Sequence, residues 1–469
     1  MQEFAEELIR STRSGHRVVQ FFGHKRRKNI QIIAVLADDA SSKLALTSTR
    51  INSNERYPSL SSEIPSLHLF ERELAEEFGI IFDGHPWLKP VRKQAPGPGY
   101  PFFHAEGDEI HEVGVGPVHA GIIEPGHFRF ICHGETVDHL EIGLGYQHRG
   151  VESLFLSQQK RPSYLLHLAE SIVGDSVIGH GGAYVRVVES LSGTGVSSRV
   201  ASVRTIALEL ERIGNHLGDL SALSGDVAYL TGNATFGAMR TVAINTSLAL
   251  CGSRFGRGLL TTGGIRFDIT PAVANRIRET IKILSERTEL AADVLFNCAS
   301  VMARFEKTGI VTRETASALG MVGLAARASG VSRDVRSDHP FEAYNQFPVH
   351  SLSLETGDVF ARAFIRYVEI MQSFRIIEEI MERLEPCDME TPTGPLAPDS
   401  LVISMTEGWR GEIAHVAITD SKGNFNRYKI KDPSFHNWFG LAIAVRNNGI
   451  SDFPLCNKSF NLSYCGFDL

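Results

Sequence analysis

The sequence predicts an α+β protein: a small N-terminal α+β unit, then a mostly α-helical domain with small antiparallel sheets near its start and its end. Two β-branched and aromatic runs near the start, a long central region of helical period, and alternating segments on either side of that region predict it. Val18 to Phe22 and Asn29 to Leu36 flank a basic turn, Gly23 to Lys28, and read as a hairpin. Leu67, Phe70, Leu74 and Phe78 fall at helical spacing within Ser66 to Ile80, with Gly79 placed to stop the helix. Gln94 to Phe103, QAPGPGYPFF, is too rich in Pro and Gly for regular structure. This divides the chain into a unit at 1–93, a linker at 94–106 and a domain at 107–469.

HFRFICHG and ETVDHLEIGLG alternate as antiparallel strands with a turn at Gly134 and Glu135. From Val151 to about Leu384 the period is helical. Ile206, Leu210, Ile213 and Leu217 share one face, and long helices are expected over Ala272 to Ala299, Thr312 to Ala328 and Asp358 to Leu384. Ser400 to Ile418 and Asn424 to Ile430 read as strands around turns at Gly408 and Gly423. A helix near Trp438 to Arg446 and a non-periodic end follow.

Composition narrows the function. The 469 residues carry 47 basic and 54 acidic side chains, with no long basic run, which argues against nucleic acid as the main partner. No stretch reaches the ~18 to 20 apolar residues of a membrane span. The opening MQEFAEELIRSTRSG lacks the apolar core of a signal peptide, so a cytoplasmic chain is expected. The 6 cysteines are scattered without a Cys-x-x-Cys pair, against a disulfide framework or a thiolate metal site. Gly114-Val-Gly116-Pro lacks the third glycine of a dinucleotide fingerprint and has a proline where the helix should open, so no NAD site is expected in this chain. There is no phosphate loop and no His-Glu-x-x-His. Gly174 to Gly179 misses the nucleophile-elbow spacing, and Ser157 to Lys160 matches Ser-x-x-Lys without its companion motifs.

The stretch GVGPVHAGIIEPGHFRFICHGETVDHLEIGLGYQHRGVE resembles the large subunit of energy-converting, membrane-bound (group 4, formate hydrogenlyase type) nickel-iron hydrogenases. More distantly, it resembles the quinone-site large subunit of complex I. The resemblance continues through ESIVGDSVIGH, ELERIGNHLGDL, GGIRFDI, ARASGVSRDVR, EGWRGEI and RYKIKDPSFHNW. ERELAEEFGIIFDGHPWLKP is similar to the end of the thirty-kilodalton-type subunit of complex I. It covers nearly the whole chain apart from the first ~60 residues, which match too loosely to count. It implies a nickel-free large subunit on the cytoplasmic side, peripheral on the inner face of the cell membrane. Its partners would be a small iron-sulfur subunit with a four-iron cluster and antiporter-like membrane subunits. If electrons come from NADH, other subunits must bind it.

The departures from the family define the expected site. The hydrogenases hold nickel and iron with two Cys-x-x-Cys pairs. The aligned positions here are Val173, Ser176, Ser463 and Gly466, with Cys465 beside the last pair, and the chain ends at Leu469 without the processed extension. A nickel-iron centre is therefore not expected. In complex I the vacated cavity takes a quinone headgroup. Here Gly174 stands near the position of that family's headgroup tyrosine, and the second histidine of its Gly-Pro-Gln-His loop has no exact counterpart, so a quinone-like ligand is possible but not implied.

By this resemblance the candidate catalytic residues are Glu152, His119, His127, Asp175, His180 and Arg410, and His119, Ser176 and Arg149 are candidates to line a quinone-like ligand cavity. His119 and His127 either face the ligand or bond to loop backbone. Glu152, in His148-Arg-Gly-Val-Glu152, matches a proton-relaying glutamate, with a raised pKa expected beside a cavity and a salt bridge to a helix arginine as the alternative. Asp175 and Ser176 either bind a polar headgroup or water, or Asp175 caps the helix that follows. His180 faces the same site or is a satisfied core histidine, and Arg410 anchors either a ligand oxygen or a structural carboxylate. Glu209, Arg212 and His216 share a helix face and read as an internal polar network or a subunit contact, and Asp268, Arg266, Asp334 and Arg336 read as a charge network holding loops together. Phe435 and Trp438 read as core or interface anchors. A new metal site built from Asp175, His180 and His119 is a further possibility. The expected activity is electron transfer from the partner's cluster to a quinone-like acceptor, coupled to proton transfer. The alternative is a non-catalytic coupling subunit with no redox ligand of its own.

Overall fold

The computed structural model describes residues 1–26, 29–53, 55–92, 99–120 and 123–469. The first half of the Pro-Gly segment and the tip of the first hairpin lie outside the described residues, and 99–106 carries no regular structure.

The first hairpin forms as expected, but its strands are longer. Arg17–Arg26 pairs antiparallel with Asn29–Asp38, so Gly23 to Arg26, read as turn, are strand. A third strand, Lys43–Asn52, completes the sheet. Its polar sequence hid it: this is an edge strand on which Leu44 and Leu46 remain exposed. The central strand explains why Asn29 to Leu36 is so uniformly apolar. Ile30, Ile32, Ala34 and Leu36 face a core shared with Phe70 and Leu74, whereas Ile33, Val35 and Ala37 face Met405, Ala414, Val416 and Ile418 of a second sheet. A strand buried on both faces loses its alternation. The helix His68–Phe78 ends at Gly79, whose φ of 69° is the left-handed stop its position predicts.

A three-stranded sheet follows: Ile110–Val115, His127–His133 and Thr136–Gly143. The helical region is built on Ser198–Asp226, Leu230–Cys251, Pro271–Phe296 and Val359–Glu382. Three of their starts are set by side chains accepting from backbone N–H groups: Ser197 from Val200, Thr270 from Val273 and Asp358 from Ala361. The single helix expected over Thr312 to Ala328 does not form. It breaks into Arg313–Ala318 and Gly323–Arg327, with Gly320 at φ 68° and Gly323 at φ 67° at the break.

The last sheet, Leu401–Gly408, Gly411–Thr419 and Phe425–Lys431, is antiparallel in that order. Its third strand sorts by period two. Tyr428 and Ile430 enter the main helical core. Arg427, Lys429 and Lys431 carry the ion pairs: Arg427 to Glu77 (2.6 Å), Lys429 to Glu73 (2.6 Å), and Lys431 to Glu412 (2.8 Å), which also holds Arg17 (2.6 Å). Arg427 and Lys429 thus bind residues 1–92 directly, Lys431 does so through the Glu412 it shares with Arg17, and the apolar core is shared as well. The helix Ser434–Ala444 buries Phe435 and Trp438, and the end read as non-periodic is helical, with Phe453–Phe460 and Tyr464–Asp468.

Gly323 breaks its helix because another loop crosses it. A Cβ there would lie 2.1 Å from the carbonyl oxygen of Arg410 and 2.3 Å from Cα of Gly411. Gly323→Ala is expected to force this crossing apart and to lower stability by about 2 kcal/mol or more, read as a lower denaturant midpoint with an unchanged slope. Wild-type stability in the variant would refute the crossing.

Candidate functional site

The site grows from the turn between the first two strands of the last sheet. Arg212, fully buried on Ser198–Asp226, donates to the carbonyls of Glu407 (2.7 Å) and Gly408 (3.2 Å) and so fixes that turn. Trp409 donates its indole N–H to the carbonyl of Asp175 (2.8 Å), and the Arg410 guanidinium lies over the Trp409 ring. Arg410 then grips Asp175 through two parallel hydrogen bonds of 2.6 and 2.9 Å, and its Nε donates to the carbonyl of Asn461 (2.5 Å). The structure therefore joins two of the expected residues, with Asp175 as the partly open end and Arg410 buried.

Asp175 does not cap the helix Val177–Ser192. The N-cap is Ser176, which makes no side-chain cap bond, and the first amides donate instead to Glu211: Ile178 N–H at 2.7 Å and Gly179 N–H at 3.2 Å. Burial, with some help from Asp175, pushes the Glu211 carboxyl up to about 8 against those amides. Glu211 was not among the sequence candidates. Its signal was its place beside Arg212 on a helix already read as a polar face.

The four positions aligned with the hydrogenase thiolates hold no thiol. Val173 contributes hydrocarbon, and Ser176 and Ser463 are buried. The Ser463 hydroxyl accepts from the N–H of Gly466 (2.9 Å). A Cβ at Gly466 would lie 2.6 Å from Cγ of Asp432 and 2.8 Å from Cγ2 of Val173. Asp432 and Val173, from separate segments, thus close the space beside Gly466.

His180 meets this closure from the other side. Its Nε2 is 3.1 Å from Asp432 Oδ2, its Nδ1 is 3.1 Å from His415 Nε2, and His415 Nδ1 is 2.9 Å from the Tyr428 hydroxyl. All four side chains are buried. Burial opposes ionisation of Asp432, but the hydrogen bond and charge of His180, with the Ser434 side chain and Arg410, hold it below the usual carboxylate range. An ionised Asp432 can only accept, so Nε2 of His180 carries a proton. Burial holds His415 neutral, so one of its ring nitrogens donates and the other accepts, between His180 Nδ1 and the Tyr428 hydroxyl, which burial keeps protonated. Asp432, His415 and Tyr428 were missed because they lie far from His180 in sequence.

Glu152 departs from expectation in sign. Burial favours its neutral form, but Lys429, Arg427 and Arg92 outweigh it and hold the carboxyl below its ordinary range. Its partner is Lys429 on the last strand (3.0 Å) rather than a helix arginine, and it also accepts from the N–H of Ile430 (3.0 Å).

The remaining candidates bind backbone. His119 Nε2 lies 2.9 Å from the carbonyl of Gly126, and His127 Nδ1 lies 3.2 Å from that of Gly116. Arg149 donates to the carbonyls of Ser171 (2.9 Å), Ile172 (2.8 Å) and Cys465 (3.3 Å), tying the Asp175 loop to the last helix. Asp175, His180 and His119 have separate partners, and no group of three or more metal-binding side chains occurs among the described residues. The Glu209–Arg212 network forms and takes in Arg336 and Asp334, whereas Asp268 pairs with Arg199 (2.8 Å) and not with Arg266 or Arg336.

No helix among the described residues is long and apolar enough to cross a membrane. Residues 2–103 match the family model described as the 30 Kd subunit of respiratory-chain NADH dehydrogenase, and residues 226–400 match that of its 49 Kd subunit. The chain is 29% identical to formate hydrogenlyase subunit 5 of Escherichia coli, over 94% of this chain and 83% of that one. It is 28% identical to the alpha subunit of the membrane-bound hydrogenase of Pyrococcus furiosus, over 75% and 85%. It is 25% identical to the C/D subunit of NADH-quinone oxidoreductase from Bacteroides thetaiotaomicron, over 87% and 84%. Its fold is that of a chain in the structure of the membrane-bound sulfane sulfur reductase, an archaeal respiratory membrane complex, with a TM-score of 0.72 at 24% identity over 78% of this chain and 100% of that one. The chain thus carries, in one polypeptide, segments that match the 30 Kd and 49 Kd subunit families of respiratory-chain NADH dehydrogenase, and over most of its length it is similar to group 4 hydrogenase-like large subunits.

Proposed function

We propose that this chain is the nickel-free large subunit of a membrane-associated complex I-like oxidoreductase. In this reading it passes electrons from an iron-sulfur cluster in a small partner subunit to a quinone-like acceptor, and couples the transfer to proton movement. The assembly would also include antiporter-like membrane subunits. The observation that carries the nickel-free part is the closure at Gly466. Hydrocarbon, two hydroxyls and a glycine cannot supply the four thiolates that a bridged nickel-iron pair requires. The chain's own residues then supply protons and polarity. Reducing a quinone to a quinol takes up two electrons and two protons. The Asp432–His180 pair, backed by His415 and Tyr428, can pass a proton at Asp432 Oδ2. The partly open Asp175 carboxylate, aligned by Arg410, supplies a polar edge for a headgroup.

A second reading, a coupling subunit with no redox ligand of its own, draws on the same closure. Asp432 and Val173 already fill the space beside Gly466, and the two loop histidines are held by backbone carbonyls.

Metal analysis and bound-molecule mass spectrometry on the complex purified with its native partners separate these. The quinone reading expects iron equal to the partner's cluster content, no nickel and a co-purifying quinone. Stoichiometric nickel would overturn the nickel-free reading, and absence of any ligand would favour the coupling subunit. Glu152→Gln is expected to abolish coupled turnover while the complex still assembles. Full activity would remove Glu152 from the mechanism.

A further inference from the structure

A cavity of about 100 Å³ separates the helix His68–Phe78 from the start of Val151–Ser157, with Glu152 in its wall. At ~30 Å³ per water it has room for several, and its lining is polar enough to hold them. The N-terminal unit contributes Glu73, Glu76 and Glu77, and the facing side contributes His148, Glu152 and Arg427, with Arg92 between them. Most of these charges are committed to fixed partners. Arg427 holds Glu77 through two hydrogen bonds (2.6 and 2.7 Å), Arg92 pairs with Glu73, and Glu76 accepts from the Arg92 amide (3.1 Å). Lys429 is different. Its buried ammonium stands between two carboxylates on separate segments, Glu73 at 2.6 Å and Glu152 at 3.0 Å.

We propose that Lys429 carries the proton exchanged at Glu152, and that Glu73 and the adjoining cavity connect this pair to solvent, making the N-terminal unit part of the proton route. This rests on the reading of Glu152 as a proton-transferring residue. In each transfer an N–H bond of the ammonium breaks as an O–H bond forms on one carboxylate, and the neutral amine is reprotonated from the other side through cavity water. Burial pushes Lys429 down to about 8, so both of its protonation states are accessible near neutral pH, whereas Lys429, Arg427 and Arg92 hold Glu152 ionised. Arginine in the same place would keep the charge and the ion pairs but would not release a proton.

The test uses the whole complex with a soluble quinone, measured from pH 6 to 9. Lys429→Arg is expected to assemble normally and to lose turnover at least tenfold across that range. The wild type should show an alkaline limb near pH 8, and Glu73→Gln should lose turnover several-fold while keeping a limb. Wild-type turnover and pH profile in Lys429→Arg would overturn the proposal. If Glu152→Gln is inactive while Lys429→Arg is fully active, the failure is confined to the lysine. If both are fully active, the Glu152 reading fails as well.

Discussion

The structure depends on a knot of buried charge at its centre. Glu369, on Val359–Glu382, takes Arg327 at 2.6 Å, His216 at 3.0 Å and Arg212 at 3.3 Å. Arg327 reaches on to Glu407 (2.8 Å), Arg336 joins Asp334 (2.7 Å) to Glu209 (3.2 Å), and Glu209 accepts from Tyr344 and Ser373. Such charges cost several kcal/mol each to desolvate and are tolerated only when each has a partner. The long helices, the short helix Gly323–Arg327 and the first strand of the last sheet can therefore meet in one register only, because any slip would strand a charge. Arg212 extends the constraint outwards by fixing the turn that carries Trp409 and Arg410, and through them Asp175. The geometry of the candidate site follows from charges that lie beneath it.

Ionisation within the knot is uneven. Burial, with Asp334 nearby, pushes Glu407 up to about 7, although Arg327 and Arg336 pull against that rise. Glu369, with two arginines and a histidine on it, is held well below its ordinary range against the same burial. Position among the partners, more than burial, sets which carboxylate titrates near neutrality.

Much of this was legible in the sequence and some was not, for definable reasons. Helices with a capping residue and a clear period, such as Val359–Glu382, were readable because the information is local. Thr312 to Ala328 failed because the interruption comes from the backbone at Arg410 and Gly411, which pairs Gly323 with a loop almost ninety positions away. His180 and Asp175 were recognisable as site residues, but the partners of His180 lie 235 and 252 positions on. For Glu152 the alternative of an ion pair was legible, but its partner is Lys429 on a distant strand rather than a helix arginine, and Lys429, Arg427 and Arg92 together lower its pKa where a rise was expected.

The ladder of Arg427, Lys429 and Lys431 bears on how two modules come to share one polypeptide. Residues 1–92 are held by ion pairs and by a core they cannot complete alone, since Phe70 packs against Phe435 and the sheet's other face against Val416. A covalent link between two such surfaces raises their effective concentration, commonly into the millimolar range. Fusion into one chain then serves stoichiometry: it ensures that every copy of the large domain is made with the acidic helix that its basic strand requires.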